Sequence, residues 1–150
     1  MAAAAAKPCP CAGVVAVTDD WRVAVVWTRK GWASFPKGKR AWSGETITAC
    51  ALRELEEEAN IQLTPADLLP GLAAIERNAV GDGIVACLFA LGVPGHALHA
   101  DGDPDGVVAR VAWVPLAELA AQRWRTPQRK TMVRDVVAYL ENRREAYSFR

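Results

Sequence analysis

Five residues between positions 45 and 58 carry the chemistry this sequence can do: Glu45, Arg53, Glu54, Glu57 and Glu58. Helix formers dominate residues 45–59, and no Pro or Gly interrupts them, so the pattern predicts a helix there. At about 100° per residue, with Glu54 at 0°, Glu57 falls near −60° and Glu58 near +40°, so three carboxylates converge in an arc of about 100°. Glu56 falls on the opposite side and is expected to face solvent. Arg53 is one i,i+4 step from Glu57 and can hold it by a charged hydrogen bond. Carboxylates crowded on one face repel unless a cation neutralises them. Hard oxygen donors on a rigid element match magnesium or manganese, which prefer octahedral oxygen coordination and leave positions for water and phosphate. An ordinary solvated helix end is the plainer alternative. Against it, negative charge at a helix C-terminus opposes the macrodipole. The same face also continues as Ile47, Cys50 and Ala51, so the cluster extends a buried stripe.

Upstream lies Phe35-Pro36-Lys37-Gly38-Lys39-Arg40. A Gly/Pro loop of this kind brings its backbone, Lys37, Lys39 and Arg40 close to phosphates, where the cations offset charge. Trp32, Phe35 and Trp42 nearby are candidates to stack on a base, with core packing as the alternative. Downstream, Asp101, Asp103 and Asp105 lie in a Gly/Pro loop, as a solvated turn or as a source of a general base or extra ligand. Their spacing resembles a calcium loop only in part, since no bidentate Glu follows at the twelfth position. His96 and His99 flank no nucleophile, and no Ser/His/Asp or Cys/His arrangement stands out.

Glu45, seven intervening residues, then Arg53-Glu54-Leu55-x-Glu57-Glu58-x-x-Ile61 resembles the Nudix box, G-x5-E-x7-R-E-U-x-E-E-x-G-U, where U is aliphatic. The resemblance covers residues 38–61 by motif and 12–142 by order of elements. It implies the Nudix fold and magnesium-dependent hydrolysis, with manganese possible, of a nucleoside or other diphosphate linked to a second group. By the same resemblance Glu54, Glu57 and Glu58 bind metal, Arg53 orients them, Glu45 joins the metal and arginine network, and Glu57 or Glu58 can act as base. Two positions depart from the box. Its first glycine falls at Lys39, with Gly38, the candidate backbone ligand, one residue earlier; its second is Asn60. The upstream Phe35-Pro36-Lys37-Gly38-Lys39 resembles the F-P-K-G-K of mRNA-decapping Nudix enzymes and the P-K-G of dinucleoside-polyphosphate and diphosphoinositol hydrolases. These imply a dinucleoside polyphosphate or an mRNA cap as substrate, and a diphosphoinositol polyphosphate as the runner-up. A Nudix domain that binds RNA or a partner without catalysis is the rival from another class.

The elements that must position these residues follow from periodicity and turn signals. Residues 13–18 and 22–28 read as strands joined by a turn at Asp19-Asp20, a plausible hairpin. The helix should end at Asn60, a residue tolerant of the left-handed conformation. Residues 65–70 read as a turn or short helix, 72–77, 84–91 and 107–114 as strands, 94–106 as a long loop, and Pro115 as the start of a short helix. Thr126-Pro127 opens a last helix with Met132, Val133, Val136, Val137 and Leu140 at core-facing spacing. The expected class is α/β (α+β), a mixed sheet sandwiched between helices.

At 150 residues the chain is expected to form one domain, residues 12–150, after a flexible tail over 1–11. No apolar run approaches the roughly 20 residues that span a bilayer, and the alanine-rich start is too short for a secretory signal, so a cytoplasmic protein is expected. Cys50 and Cys87 read as small core residues, and Cys9 and Cys11 as a poor metal site. Charge is unevenly placed. Residues 1–44 carry seven Lys/Arg against two Asp/Glu, 45–119 three against twelve, and 120–150 eight against three. An acidic centre between basic flanks suits a protein that binds a cation centrally and polyanions around it. The expected partner is a phosphate-rich small molecule or capped RNA, helped by Arg123, Arg125, Arg129, Lys130, Arg143 and Arg144, and no membrane.

Overall fold

The computed structural model describes residues 9–100, 103–104 and 106–148. The first eight residues of the expected tail lie outside that range, as do Asp101 and Asp105; Cys9 is buried and Cys11 opens the first strand. The elements are β1 (Cys11–Val17), β2 (Arg22–Thr28), β3 (Ala33–Ser34), β4 (Lys37–Lys39), α1 (Ile47–Ala59), a 3₁₀ turn (Pro65–Asp67), β5 (Ala73–Arg77), β6 (Gly83–Leu91), β7 (Val108–Pro115), α2 (Leu116–Leu119) and α3 (Pro127–Ser148).

Strand alternation sends side chains to two cores. Val15, Val17, Val23, Val25, Cys87 and Phe89 meet Met132, Val133, Val136 and Leu140 of α3 on one face. Ala12, Val14, Ala16, Ala24, Leu88 and Ala90 meet Cys50, Ala51, Leu55 and Ala59 of α1 on the other. The sheet is mixed: β1 runs parallel to β6, while β1–β2, β2–β7 and β5–β6 are antiparallel. This is the expected α/β sandwich. Among the described residues, no helix is long and apolar enough to cross a membrane.

The expected hairpin is a departure in detail. β1 and β2 share one register pair, Val17↔Val23, and then diverge; β6 and β7 take their other edges. Residues 33–39 enter the gap. They form short strands where a loop was expected, because β3 pairs with Val26 and Trp27 of β2 and β4 with Cys11–Gly13 of β1. Gly13 permits the fit: a Cβ there would overlap the Pro36 carbonyl and Lys37. The inserted segment is the seat of the site.

Candidate active site

Helix α1 begins later than the sequence pattern suggested. Thr46 is its N-cap, accepting the Ala49 N–H on Oγ1 at 3.1 Å, and Glu45 stands before the helix in the approach loop. From there Glu45 folds back, accepting the Ala41 N–H at 2.7 Å and facing Arg53. The other end matches expectation: Asn60 takes the left-handed conformation at φ 57° and donates its N–H to the Glu56 carbonyl.

Arg53 organises the acidic cluster. Its Nε and Nη2 donate to the two Glu45 oxygens at 2.9 Å each, and Nη1 donates to Glu54 Oε1 at 3.0 Å and to Glu57 at 3.2 Å. Nη2 also reaches the Lys39 carbonyl at 3.0 Å. Hydrogen bonding from Arg53 holds the Glu45 carboxyl down to about 2, despite its burial, and the carboxylates in turn raise the guanidinium above its usual range. Glu54 is buried, Glu57 and Glu58 are half-buried, and Glu56 faces solvent, as helical geometry required.

Gly38 and Lys39 divide between them what the box assigns to one glycine. The Glu54 carboxylate occupies the space a Cβ on residue 38 would take, so any larger residue there would displace that carboxylate. The Gly38 carbonyl accepts the Cys50 thiol at 3.5 Å, while the Lys39 carbonyl is the one bound by Arg53. Glu58 Oε1 accepts the Lys37 N–H at 3.0 Å, across from β4.

Among the described residues, no three acidic, His or Cys side chains are already arranged as a ligand group, because Glu54 and Glu57 are turned towards Arg53. The donor set nevertheless fits a hard divalent cation. Glu54 Oε2 and Glu58 Oε2 accept no hydrogen bond among the described residues. Burial pushes the Glu58 carboxyl up to about 8, with Glu54 and Asp103 adding to the rise, and burial likewise raises Glu54. Incompletely neutralised carboxylates on a rigid helix are what such a cation relieves.

A cavity of about 900 Å³ opens over this cluster, at the upper end of the range for small-molecule sites. Of the substrate-binding candidates, Lys37, Lys39, Arg40 and Trp32 line it, together with Gly38, the candidate backbone ligand. Phe35 does not. It is 1% exposed and its ring lies 5.2 Å from that of Trp124 in the α3-side core. A large apolar ring on the inserted segment is drawn into the core between sheet and helix, which corrects its assignment to substrate. Trp42 is exposed and outside the cavity lining. Asp103 lines the cavity, its Oδ2 accepting the Val108 N–H at 3.0 Å. Of the C-terminal cations, Arg125 and Arg129 line the cavity, and Arg123 lies 4.0 Å over the Trp32 ring while donating to the Lys30 carbonyl. Lys130, Arg143 and Arg144 are not part of its wall. The sequence reading missed the Arg129–Glu76 ion pair at 2.7 Å, which joins α3 to β5. A lone Glu in an apolar strand was its only signal.

A sheet between α1 and α3, with a carboxylate cluster ordered by one arginine above a basic cavity, defines a Nudix-type architecture. The family model described as NUDIX domain matches residues 7–136, and the chain belongs to that family. A Nudix hydrolase of Photorhabdus laumondii, NudL, itself uncharacterised, is 35% identical over 97 residues, covering 65% of this chain and 49% of its own length. The chain thus spans about half of that curated relative. Solved structures share the fold. The binary complex of an Ap4A hydrolase from C. elegans has a TM-score of 0.66 at 17% identity, over 88% of this chain and 98% of that one. A bifunctional NMN adenylyltransferase/ADP ribose pyrophosphatase of Francisella tularensis, complexed with AMP and a manganese ion, has a TM-score of 0.65 at 20% identity, over 93% and 43%. Nudix proteins generally use divalent metals.

Proposed function

We propose that this chain hydrolyses a phosphoanhydride bond in a small molecule linked through a nucleoside diphosphate, using magnesium or manganese held by Glu54, Glu57 and Glu58. The observation that carries the reading is the Arg53 network. One guanidinium orders Glu45, Glu54 and Glu57, and one oxygen each of Glu54 and Glu58 has no donor among the described residues, beside a cavity lined by Lys37 and Lys39. When bound, the cation neutralises phosphate oxygens and makes water a better nucleophile at neutral pH. The chain's own groups supply the rest. Lys37, Lys39 and Arg40 bind the phosphates, and Arg53 and Glu45 position the carboxylates. Gly38 gives Glu54 room at the metal end, Trp32 offers a stacking face, and a carboxylate among Glu57, Glu58 and Asp103 takes the proton of the attacking water.

A diphosphoinositol polyphosphate is the second reading, favoured by one observation: Lys30, Lys37, Lys39, Arg40, Arg125 and Arg129 line a single cavity. The likeness to decapping enzymes gives capped RNA no separate support, since Phe35 and Pro36 of that motif are buried packing residues. The test is turnover, followed by phosphorus NMR, of dinucleoside polyphosphates, ADP-ribose, cap analogues and inositol pyrophosphates with magnesium or manganese. A salt titration separates RNA, whose binding weakens steeply with salt, from a small dinucleotide. A folded protein that turns over none of these substrates with either metal is a binding domain instead.

A further inference from the structure

The part of the cavity wall contributed by α3 contains a guanidinium whose orientation is fixed by a buried carboxylate. Arg129, in the first turn of α3, has a side chain only 16% exposed, and its Nε donates at 2.7 Å to Oε1 of Glu76, itself 4% exposed on β5. The Arg129 N–H is capped by Thr126 Oγ1 at 3.1 Å, so the backbone that carries the side chain is set as well. The Nη edge takes no hydrogen bond among the described residues, although Arg129 lines the cavity. Arg125, exposed and likewise without a hydrogen bond among the described residues, lines the same cavity. A purely structural role accounts poorly for this arrangement, because a buried ion pair stabilises no better than well-packed apolar residues. An arginine anchored through Nε and open along its Nη edge presents the fork that receives phosphate or carboxylate.

We propose that Arg129, oriented by Glu76, and Arg125 form a second anion subsite that selects ligands bearing a further phosphate beyond the phosphoanhydride held at the α1 carboxylates. The position of that phosphoanhydride rests on the function proposed above. Glu76 is a positioning residue; Arg129 and Arg125 touch the ligand. Occupation of the subsite moves the preference from neutral distal groups, such as an unsubstituted ribose, to polyphosphorylated ones.

The test is calorimetric titration in saturating magnesium with methylene-bridged, non-hydrolysable analogues of adenosine 5′-tetraphosphate and ADP-ribose. They share the adenosine diphosphate and differ in the distal anion. The proteins are the wild type, Arg125→Gln and the paired Glu76→Gln/Arg129→Gln, which removes both members of the buried pair together. Each variant should lose about tenfold or more in affinity for the tetraphosphate analogue, the loss of one charged hydrogen-bonded contact. Affinity for the ADP-ribose analogue should change by less than about twofold, since only the distal contact is lost. Equal losses for both analogues, or no loss for either, overturn the proposal. If circular dichroism shows the paired variant unfolded, Arg125→Gln decides by the same criterion. Selective loss without turnover of any substrate would leave the subsite standing and remove the hydrolase; turnover with unchanged discrimination would do the reverse.

Discussion

Replacing Arg53 with methionine keeps an unbranched stem and removes the guanidinium that serves Glu45, Glu54 and Glu57. The Glu45 side chain is 1% exposed, and after the substitution it would keep the Ala41 N–H and the Cys50 thiol as donors but no cation. Removing one partner of a buried pair costs about 3–5 kcal/mol. Arg53 itself is 28% exposed, so water screens the guanidinium and the lower end applies, about 3 kcal/mol. Changing both residues, Glu45→Gln with Arg53→Met, removes the stranded charge and should recover about 1–2 kcal/mol of that loss. The pH dependence has a defined sign. Glu45 is held from its ordinary 4.5 down to about 2 when folded, chiefly by hydrogen bonding to Arg53. Its contribution is therefore present above pH 4.5 and lost as pH falls towards 2, so the gap between wild type and Arg53→Met should be full at neutral pH and narrow across that interval. Urea unfolding in EDTA, followed by far-UV circular dichroism, measures these differences without metal. With metal present, the variant should also need more magnesium for half-maximal turnover, which a merely structural residue would not produce. A cost below about 1 kcal/mol, or a double variant no more stable than the single, would refute the account of Arg53 as the organiser.

Glu57→Gln and Glu58→Gln should each lower kcat by about a hundredfold or more while the melting temperature changes little, because each keeps the size of the side chain and removes a candidate metal-binding oxygen. Full activity in either at saturating magnesium would count against both as ligands. Gly38→Ala drives a methyl into the Glu54 carboxylate, so it should reduce activity by at least about tenfold at a stability cost of about 1–3 kcal/mol, read from kcat and from urea titration. Phe35→Ala and Trp32→Ala should separate cleanly. Loss of the buried ring should cost about 3–5 kcal/mol in urea. Loss of the cavity tryptophan should instead raise KM at nearly unchanged stability, and the reverse pattern would restore Phe35 to the substrate.

The parts of the fold legible in the sequence are those set by local pattern. The α1 face came from 3.6-residue periodicity, and the Asn60 cap from one residue's tolerance of the left-handed region. The carboxylate arc was legible for the same reason, since it lies within two turns of one helix. What escaped is non-local. Residues 33–39 have the Gly, Pro and Lys content of a loop, and become strand only because β1 and β2 part and leave edges to be paired. Phe35 read as a stacking ring because its distance from Trp124 in the sequence hides their contact. Glu76 and Arg129 are 53 positions apart in the chain, and neither type alone announces a pair.

The inserted segment explains why these local and non-local features meet at one place. β4 supplies the Lys37 N–H to Glu58, the Gly38 gap to Glu54 and the Lys39 carbonyl to Arg53, three contacts from successive residues of one strand. Pairing with β1 fixes that strand, so the helix carboxylates are referenced to the sheet rather than to a free loop. The preceding strand β3 reaches the other side: the Ala33 N–H donates to the Arg123 carbonyl at 2.8 Å, and Phe35 lies against Trp124 just before α3. The same short stretch of chain is therefore tied to the acidic helix at one end and to the approach to the basic helix at the other.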